Sequence, residues 1–377
     1  MTQTDKSKQK QVIIIAAVVL IAPVIIGLLV NLGSHDIEDV RIKMEEYLYE
    51  RYGEEFVVDR IGTRNRRNKE LYQARIYPKS IVGTNKEGDD FYYASATLEK
   101  FNFGKLGNPG DSYSYVMMNK TAEEYILPVA KKIFGNRVLM KVDSEIEIWG
   151  REEVIVKEYR KKDPNSDGVD AFIGYKERNF KKARQRVINA PDKNKLILKL
   201  FIYIFDRIET EEEKEARRRE IFEFVQYLKE EGLYKYLELG VIFIDERVLA
   251  PGYGEYSLAV RFSDKEKVEI GGKKVYLPPL ELRKEMSAKL QEEIDKMSEE
   301  ELLERMGRIK KSRLVDLTKY NSQYGTFIYS WGMLEENYPS SLSRRDKNRD
   351  YSKLEHVRLG KGENYIYLSQ EGKNNEK

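Results

Sequence analysis

The chain has no cysteine among its 377 residues, and only two histidines, two tryptophans and ten prolines. Without cysteine there is no disulfide, no thiolate nucleophile, no zinc site of the cysteine type and no lipid anchor through sulfur. The histidines, His35 and His356, sit at opposite ends of the chain, so neither a paired-histidine metal site nor a serine, histidine and aspartate triad is expected. An excess of one charge is also lacking, with 67 Lys and Arg against 64 Asp and Glu. Since 35% of residues are charged and the signs nearly cancel, the surface is heavily solvated and carries no bulk signature of nucleic-acid binding. Cohesion must come from packing and ion pairs, a composition that suits heat-adapted proteins.

Long apolar runs are scarce, with one exception. Val12 to Leu32 carries no charge, and Val12–Val30 consists of Val, Ile, Ala, Leu, Gly and one Pro. As a helix those residues cover roughly 28 Å, about one hydrocarbon core, and Pro23 and Gly27 are tolerated in membrane helices, with a kink expected near Pro23. Lys6, Lys8 and Lys10 precede the run, whereas Arg41 and Lys43 follow it among Asp36, Glu38, Asp39, Glu45 and Glu46. The asymmetry predicts a single-pass anchor with a cytoplasmic N-terminus and an extracytoplasmic body. A cleaved signal peptide is the competing reading. It is disfavoured by the length of the run and by Leu32, which stands where cleavage after Ser34 would need a small residue.

Beyond the run, periodicity predicts an α+β protein. Ile37, Val40, Met44, Leu48 and Tyr52 recur at helical steps up to Gly53. Strands are expected at Glu55–Ile61, Leu71–Tyr77, Phe91–Phe101 and Tyr113–Met118, with Gly107-Asn108-Pro109-Gly110 as a turn. Thr121 and Glu124 form a capping-box pattern for a second helix, followed by an alternating strand from Val138 to Ile148. Leu196–Phe205 reads as a strand buried on both faces, and Thr210 with Glu213 opens another helix, with i,i+4 pairs Glu213–Arg217 and Glu215–Arg219. Strands are expected at Leu239–Val248 and Tyr256–Phe262, with a hairpin at Val268–Leu277. Helices then carry Met286, Leu290, Ile294 and Met297, and, from Ser298 and Glu301, Leu302, Met306 and Ile309. Short strands near Tyr324–Tyr329 and Tyr365–Leu368 precede a disordered end.

The domain plan is therefore a cytoplasmic tail (1–11), the anchor (12–32), a first helix-plus-antiparallel-sheet module (33–160) and a charged junction (161–194). A second such module (195–312) and a C-terminal extension (313–377) complete it. A tail, one span, an emerging helix and curved-sheet modules resemble the layout of nuclear-transport-factor-like or cystatin-like outer domains of bacterial secretion and conjugation machinery. The resemblance is one of layout with no shared motif, and implies no family.

Few residues point to chemistry. Asp163, Asn165 and Asp167, followed by Gly168, match the first half of a calcium loop, but Gly174 stands where the twelfth position needs a carboxylate. A polar turn is the plainer reading, and calcium is the one cofactor to consider. The carboxylate pairs Glu54-Glu55 and Glu152-Glu153 read as solvated faces. The basic runs Arg64–Lys69, Arg178–Arg186 and Arg344–Arg349 read as solvated loops, with an anionic wall polymer or lipid headgroups as the alternative partner. Gly252-Tyr253-Gly254 and Gly104-Lys105-Leu106-Gly107 read as turns, and Asn119-Lys120-Thr121 as a glycosylation pattern overlapping a helix cap. The expected function is a membrane-anchored, non-enzymatic binding, scaffold or assembly module. Its expected partners are the bilayer, through 12–32, and other envelope proteins or wall polymer. The alternative is an anchored cell-wall hydrolase using carboxylates with calcium assistance.

Overall fold

The structure, a computed structural model, describes residues 36–66, 69–101, 105–148, 172–173, 178–192, 194–262, 266–270, 273–277, 280–338 and 353–362. The run 12–32 lies outside them, and among the described residues no helix is long and apolar enough to cross a membrane. The chain divides into two compact units at Tyr113/Ser114. Helices and sheets are interleaved throughout, so the α+β class holds.

In the first unit, helix α1 (Ile37–Tyr52) is capped by Asp36, whose carboxylate accepts from the Glu38 amide at 3.1 Å. Glu38 and Asp39 in the first turn suit the helix dipole, and Gly53 at φ 73° closes the other end. Val40, Met44 and Leu48 are fully buried at four-residue steps, while Ile37 is exposed. Strands β1 (Phe56–Arg66), β2 (Lys69–Pro78), β3 (Ala94–Phe101) and β4 (Lys105–Asp111) form an antiparallel meander in chain order, and α1 packs against β1, β3 and β4. The expected turn at Gly107–Gly110 is part of β4, an edge strand, where proline and glycine are tolerated. Gly107 is required there, because a Cβ would stand 2.9 Å from Glu99 Cβ.

Asp111, at the end of β4, ties this sheet to α1. Its buried carboxylate accepts from Tyr47 Oη at 2.9 Å, Tyr52 Oη at 2.5 Å and the Tyr113 amide at 2.8 Å, with Arg51 Nε at 3.2 Å. Around it Tyr113 meets Tyr52 and Phe56 edge-on, with ring centroids 5.0 and 4.8 Å apart.

The second unit begins with helix α2 (Tyr113–Phe134 less its first residue), so Tyr113–Met118 is helical and not the expected strand. Thr121 lies inside that helix. Its hydroxyl donates to the Met118 carbonyl at 3.0 Å and accepts from the Phe180 amide at 3.0 Å, so it caps nothing in α2. Strands β5 (Val138–Ile148) and β6 (Phe172–Ile173), helix α3 (Phe180–Asn189), strand β7 (Asn194–Asp206), helix α4 (Glu211–Glu230) and strand β8 (Leu237–Asp245) follow. The capping box of α4 at Thr210 and Glu213 is formed as expected. Arg217, however, bonds Asp206 and Glu220 in place of Glu213.

Helix α5 (Tyr253–Phe262) replaces the strand expected at Tyr256–Phe262. Strands β9 (Glu266–Ile270) and β10 (Lys273–Leu277) pair as the expected hairpin. Helices α6 (Leu280–Asp295), α7 (Glu299–Gly307) and α8 (Leu314–Asn321), strand β11 (Ser322–Tyr329), helix α9 (Trp331–Asn337) and strand β12 (Gly360–Lys361) complete the unit.

Six strands form one mixed sheet in the order β12-β11-β8-β7-β5-β6. β7 and β8 are parallel, joined by the α4 crossover, and the other neighbours are antiparallel. The expected second module of helix and antiparallel sheet thus has a parallel centre. The expected boundary at 161–194 also gives way, because β5 and β7, which flank it, pair from Val138↔Ile204 to Ile148↔Asn194.

Each face of this sheet has its own core. Leu196, Leu198, Leu200, Ile202 and Ile204 of β7 pack with Ile126, Phe180, Phe224 and Leu228 of α2, α3 and α4. Tyr203 and Phe205 pack on the other face with Tyr256, Leu290, Ile294, Leu302, Met306 and Leu314 of α5 to α8. A strand covered on both sides has no wet face, which explains the nearly unbroken apolar run of β7.

Replacing Asp111 by Ala should lower the stability of the first unit by about 3–5 kcal/mol, as expected when one partner of a buried charged network is removed. In the intact protein, burial and then Asp111 push the Tyr47 hydroxyl up to about 12, and burial raises Tyr52 and Tyr113 as well. A raised folded value means that this contribution is complete below the ordinary tyrosine value near pH 10 and is lost as pH rises toward 12 and beyond. Thermal melts recorded with tyrosinate absorbance from neutral to alkaline pH should show that decline.

Candidate functional site

Parallel strands deliver their carboxyl ends to the same edge of a sheet, and open α/β sheets place ligands beyond that edge. Here Asp206 ends β7 directly opposite Asp245, which ends β8. Gln323 of β11 steadies the first end, accepting from the Ile208 amide at 2.9 Å and donating to the Asp206 carbonyl at 3.2 Å.

At the second end, Asp245 caps the 3-10 turn Glu246–Leu249 by accepting from the Arg247 amide at 3.0 Å. The same carboxylate takes the Arg247 guanidinium in two places, Nε at 2.8 Å and Nη2. Arg247 Nη1 donates to Ser287 of α6. Arg247 is 2% exposed and Asp245 fully buried, so this pair stands in a dry interior and is held by hydrogen bonds on both members.

Next to this network is a cavity of about 180 Å³ lined by Tyr253, Tyr256 and Ser257 of α5, Arg313, and Asp316, Leu317, Tyr320 and Asn321 of α8. Asn321 is fixed by its amide nitrogen, which donates to Tyr253 Oη at 2.8 Å and to the Leu317 carbonyl at 2.9 Å. Because a carbonyl can only accept, this assignment leaves Asn321 Oδ1 as the remaining acceptor, and it has no protein partner. The Tyr256 hydroxyl, buried beside Arg247 and Arg283, has none either. Burial raises its pKa, so it stays protonated at neutral pH.

The first unit has an open cleft of about 640 Å³ between α1 and β1, lined by Arg41, Glu45, Glu46, Tyr49, Glu55, Phe56, Val57, Val58 and Lys79. β1 is an edge strand, pairing with β2 alone among the described residues, and Arg41 Nε donates to the Val58 carbonyl at 3.2 Å. Burial raises the Glu45 carboxyl above its usual range, against the pull of Arg41. Ile42 and Tyr49 of α1 are exposed, at 46% and 57%.

Asp163, Asn165 and Asp167 lie outside the described residues, as do His35, Glu152-Glu153 and Arg344–Arg349. Among the described residues no group of three His, Asp or Glu is placed to hold a metal ion. His356 sits half-buried with Nε2 3.8 Å from Glu355. Glu54 and Glu55 are engaged, Glu54 by the Tyr113 and Ser80 hydroxyls and Glu55 by Lys79 at 3.0 Å. In the middle basic run, Arg184 pairs with Glu231 at 2.8 Å, and Lys181 and Arg184 lie over the Tyr125 ring. Asn119 Oδ1 accepts from the Ser144 amide and hydroxyl at 2.7 and 2.8 Å, which ties α2 to β5. Gly252 turns the chain into α5 with its amide on Glu293 at 2.7 Å.

The sequence reading missed Asp245, Arg247, Tyr256 and Asn321. The available signal was the carboxylate that ends the apolar run of β8 after a strand and a capped helix, the signature of a parallel crossover with a polar carboxyl end. Asp245→Ala should cost about 3–5 kcal/mol, because it strands a buried guanidinium and uncaps the turn. Asp245→Leu combined with Arg247→Met should recover most of that loss, as read by denaturant unfolding followed by circular dichroism.

No protein-family profile matches the chain, and no curated protein is significantly similar to it. A crystal structure of a DUF5037 family protein from Ruminococcus gnavus is similar over 58% of this chain and 79% of that one, at 16% identity and a TM-score of 0.32. A likeness of that size bears on neither fold nor function.

Proposed function

We propose that the protein is a single-pass, membrane-tethered binding or assembly module of the cell envelope, whose first unit engages an extended segment of another envelope protein. The observation that carries this reading is the cleft of the first unit. It combines an edge strand, a floor from Phe56 to Val58 and a rim with exposed Tyr49. An edge strand beside an apolar groove supplies main-chain hydrogen bonds for affinity and side-chain pockets for specificity, the requirements of strand addition. Arg41 and Lys79 face Glu45, Glu46 and Glu55 around the rim, so a partner segment of mixed charge fits it. In sequence, α1 begins only a few residues after the apolar run 12–32, whose length and basic flank support the tether.

The hydrolase reading draws on Glu45, whose raised carboxyl shares the cleft with Glu55 and would suit a general acid. It requires the wild-type protein to degrade wall polymer and Glu45→Gln to abolish that activity. The binding reading expects no degradation from either.

Fractionation tests the tether. The full chain should stay with membranes through alkaline carbonate, and a chain begun at Asp36 should be released; release of both would refute the anchor. A photo-crosslinker placed at Tyr49 should trap an envelope protein in an adduct that a charge introduced on the cleft floor (Val57→Glu) removes. The same probe at Glu223 on α4 should not form that adduct, and equal trapping at both positions would refute a specific cleft.

A further inference from the structure

We infer that the ends of the two hairpins of the first unit, where Arg66 pairs with Lys69 and Phe101 with Lys105, dock on anionic lipid headgroups of the bilayer that holds the tether. The inference rests on the tether proposed above. It begins with the direction of α1. Lys43 Nζ donates to the Leu106 carbonyl at 3.1 Å, near the start of β4, whereas Tyr47 and Tyr52 reach Asp111, where β4 ends. On the other side, the Tyr52 ring lies 5.6 Å from that of Phe56, the first residue of β1. α1 therefore runs along β4 and against β1, and its N-terminus points to the end of the sheet where both hairpins close. Ile37 opens α1 five residues after Leu32, the last of the apolar run, and five residue steps span at most about 18 Å. A bilayer that holds 12–32 thus lies on the side of the two hairpin ends.

The residues at those ends suit such a surface. Among residues 64–66, 69–70, 99–101 and 105–106, five are basic and two acidic, so cations are in excess. Arg64 is exposed and bonds a neutral partner, Gln73 Oε1, at 3.2 Å, and Lys105 is exposed. Of the two carboxylates, Glu70 is held by Lys100 at 3.2 Å. The acidic first turn of α1 is set against its own helix dipole, with Asp36 as the cap and Glu38 paired with Arg41. Each Lys or Arg close to an anionic surface strengthens attraction about fivefold. Phe101 is 48% exposed, and a ring among cations suits the boundary between headgroups and acyl chains. An anionic wall polymer would meet the same cations, but it gives the ring no use and has no reason to sit where the tether emerges.

The same geometry separates docking from the cleft. A bulge between Asp59 and Gly62, with Arg60 at φ 50°, divides β1 into two parts, and a bulge bends and twists the strand that carries it. Residues 56–58, before the bulge, form the cleft floor. Residues 62–66, after it, form the docking hairpin with β2. Docking at the hairpin ends holds the cleft at the opposite end of the sheet, turned from the bilayer toward a partner segment.

Because the chain lacks cysteine, one introduced thiol can carry a nitroxide at a chosen point. The test uses the full-length chain in phosphatidylcholine bilayers with and without phosphatidylglycerol. It compares Asn65→Cys, at a hairpin end, with Val82→Cys, exposed at the other end of the sheet. Collisions with oxygen and with a water-soluble nickel chelate report the depth of each label. On anionic bilayers the label at 65 should be shielded from the chelate while that at 82 stays accessible. Molar salt, which shortens the screening length to about 3 Å, should expose it again. Arg64→Gln and Lys105→Gln, both at exposed positions, should each lower the ratio of shielded to exposed label about fivefold, with circular dichroism unchanged. Equal exposure of the two labels, in a chain that alkaline carbonate leaves in the membrane, would overturn the docking and spare the tether. Release by carbonate would overturn the tether and this inference with it. Shielding that is the same without phosphatidylglycerol and in both variants would overturn the role of the headgroups. Shielding seen only on adding a soluble anionic wall polymer would overturn it too, and assign the cations to that polymer.

Discussion

The parallel pairing of β7 with β8 is the constraint on which the second unit depends. A hairpin turn cannot join parallel strands, so the chain must cross over, and α4 makes that crossing with a capping box at Thr210 and Glu213. A central strand apolar on both faces must be covered on both, and the covers are α2, α3 and α4 on one side and α5 to α8 on the other. The same pairing sets Asp206 opposite Asp245 and brings two polar chain reversals to one edge. Its polar edge is thus a consequence of strand direction.

The first unit follows a different logic. Its meander needs no crossover, and β2 shows the alternation of a sheet with one apolar face, with Tyr72, Ala74 and Ile76 buried and Gln73 and Arg75 between them less so. Arg75 instead pairs with Asp59 across the strands and lies over the Tyr77 and Tyr93 rings. With α1 as the one α-helix covering the sheet among the described residues, closure falls to a local polar tie, which is the work of Asp111.

What was legible in the sequence tracks how unambiguous each period is. The four-residue steps of Val40, Met44 and Leu48, the alternation of Val138 to Ile148, broken only at Leu139 and Ser144, and the dense run at Leu196–Phe205 each favour one reading, and the elements appear as expected. Tyr256–Phe262 admits two. Its alternation of Tyr256, Leu258, Val260 and Phe262 reads as a strand, but in the fold Tyr256 is buried and Leu258 is 55% exposed, because the segment is helical. Capping boxes at Thr210 and Ser298 start helices, whereas Thr121 carries the same pattern within one, since a box is informative only where the preceding residues are not already helical. The cavity was illegible for another reason. Tyr253, Tyr256, Arg313 and Asn321 come from separate places in the chain and meet only after β8, α5 and α8 have packed.

The buried Asp245–Arg247 pair explains why the cavity has its shape. Burying two charges is costly, and an apolar pair of similar volume would fill the space with little loss of stability. Such a pair would not hold the chain direction, however. Asp245 accepts from the backbone and the side chain of the residue two positions later, which fixes the 3-10 turn Glu246–Leu249, and Arg247 extends the tie to Ser287 on α6. Arg305 of α7 takes the Leu249 carbonyl, and Glu293 of α6 takes the Gly252 amide, so the path from β8 into α5 is pinned at each step. Tyr253 and Tyr256 enter the cavity wall at the end of that path, and Asn321 is oriented in turn by Tyr253. The charged pair therefore acts on the site through backbone geometry, and an apolar replacement that preserved stability would still leave the cavity wall free to shift.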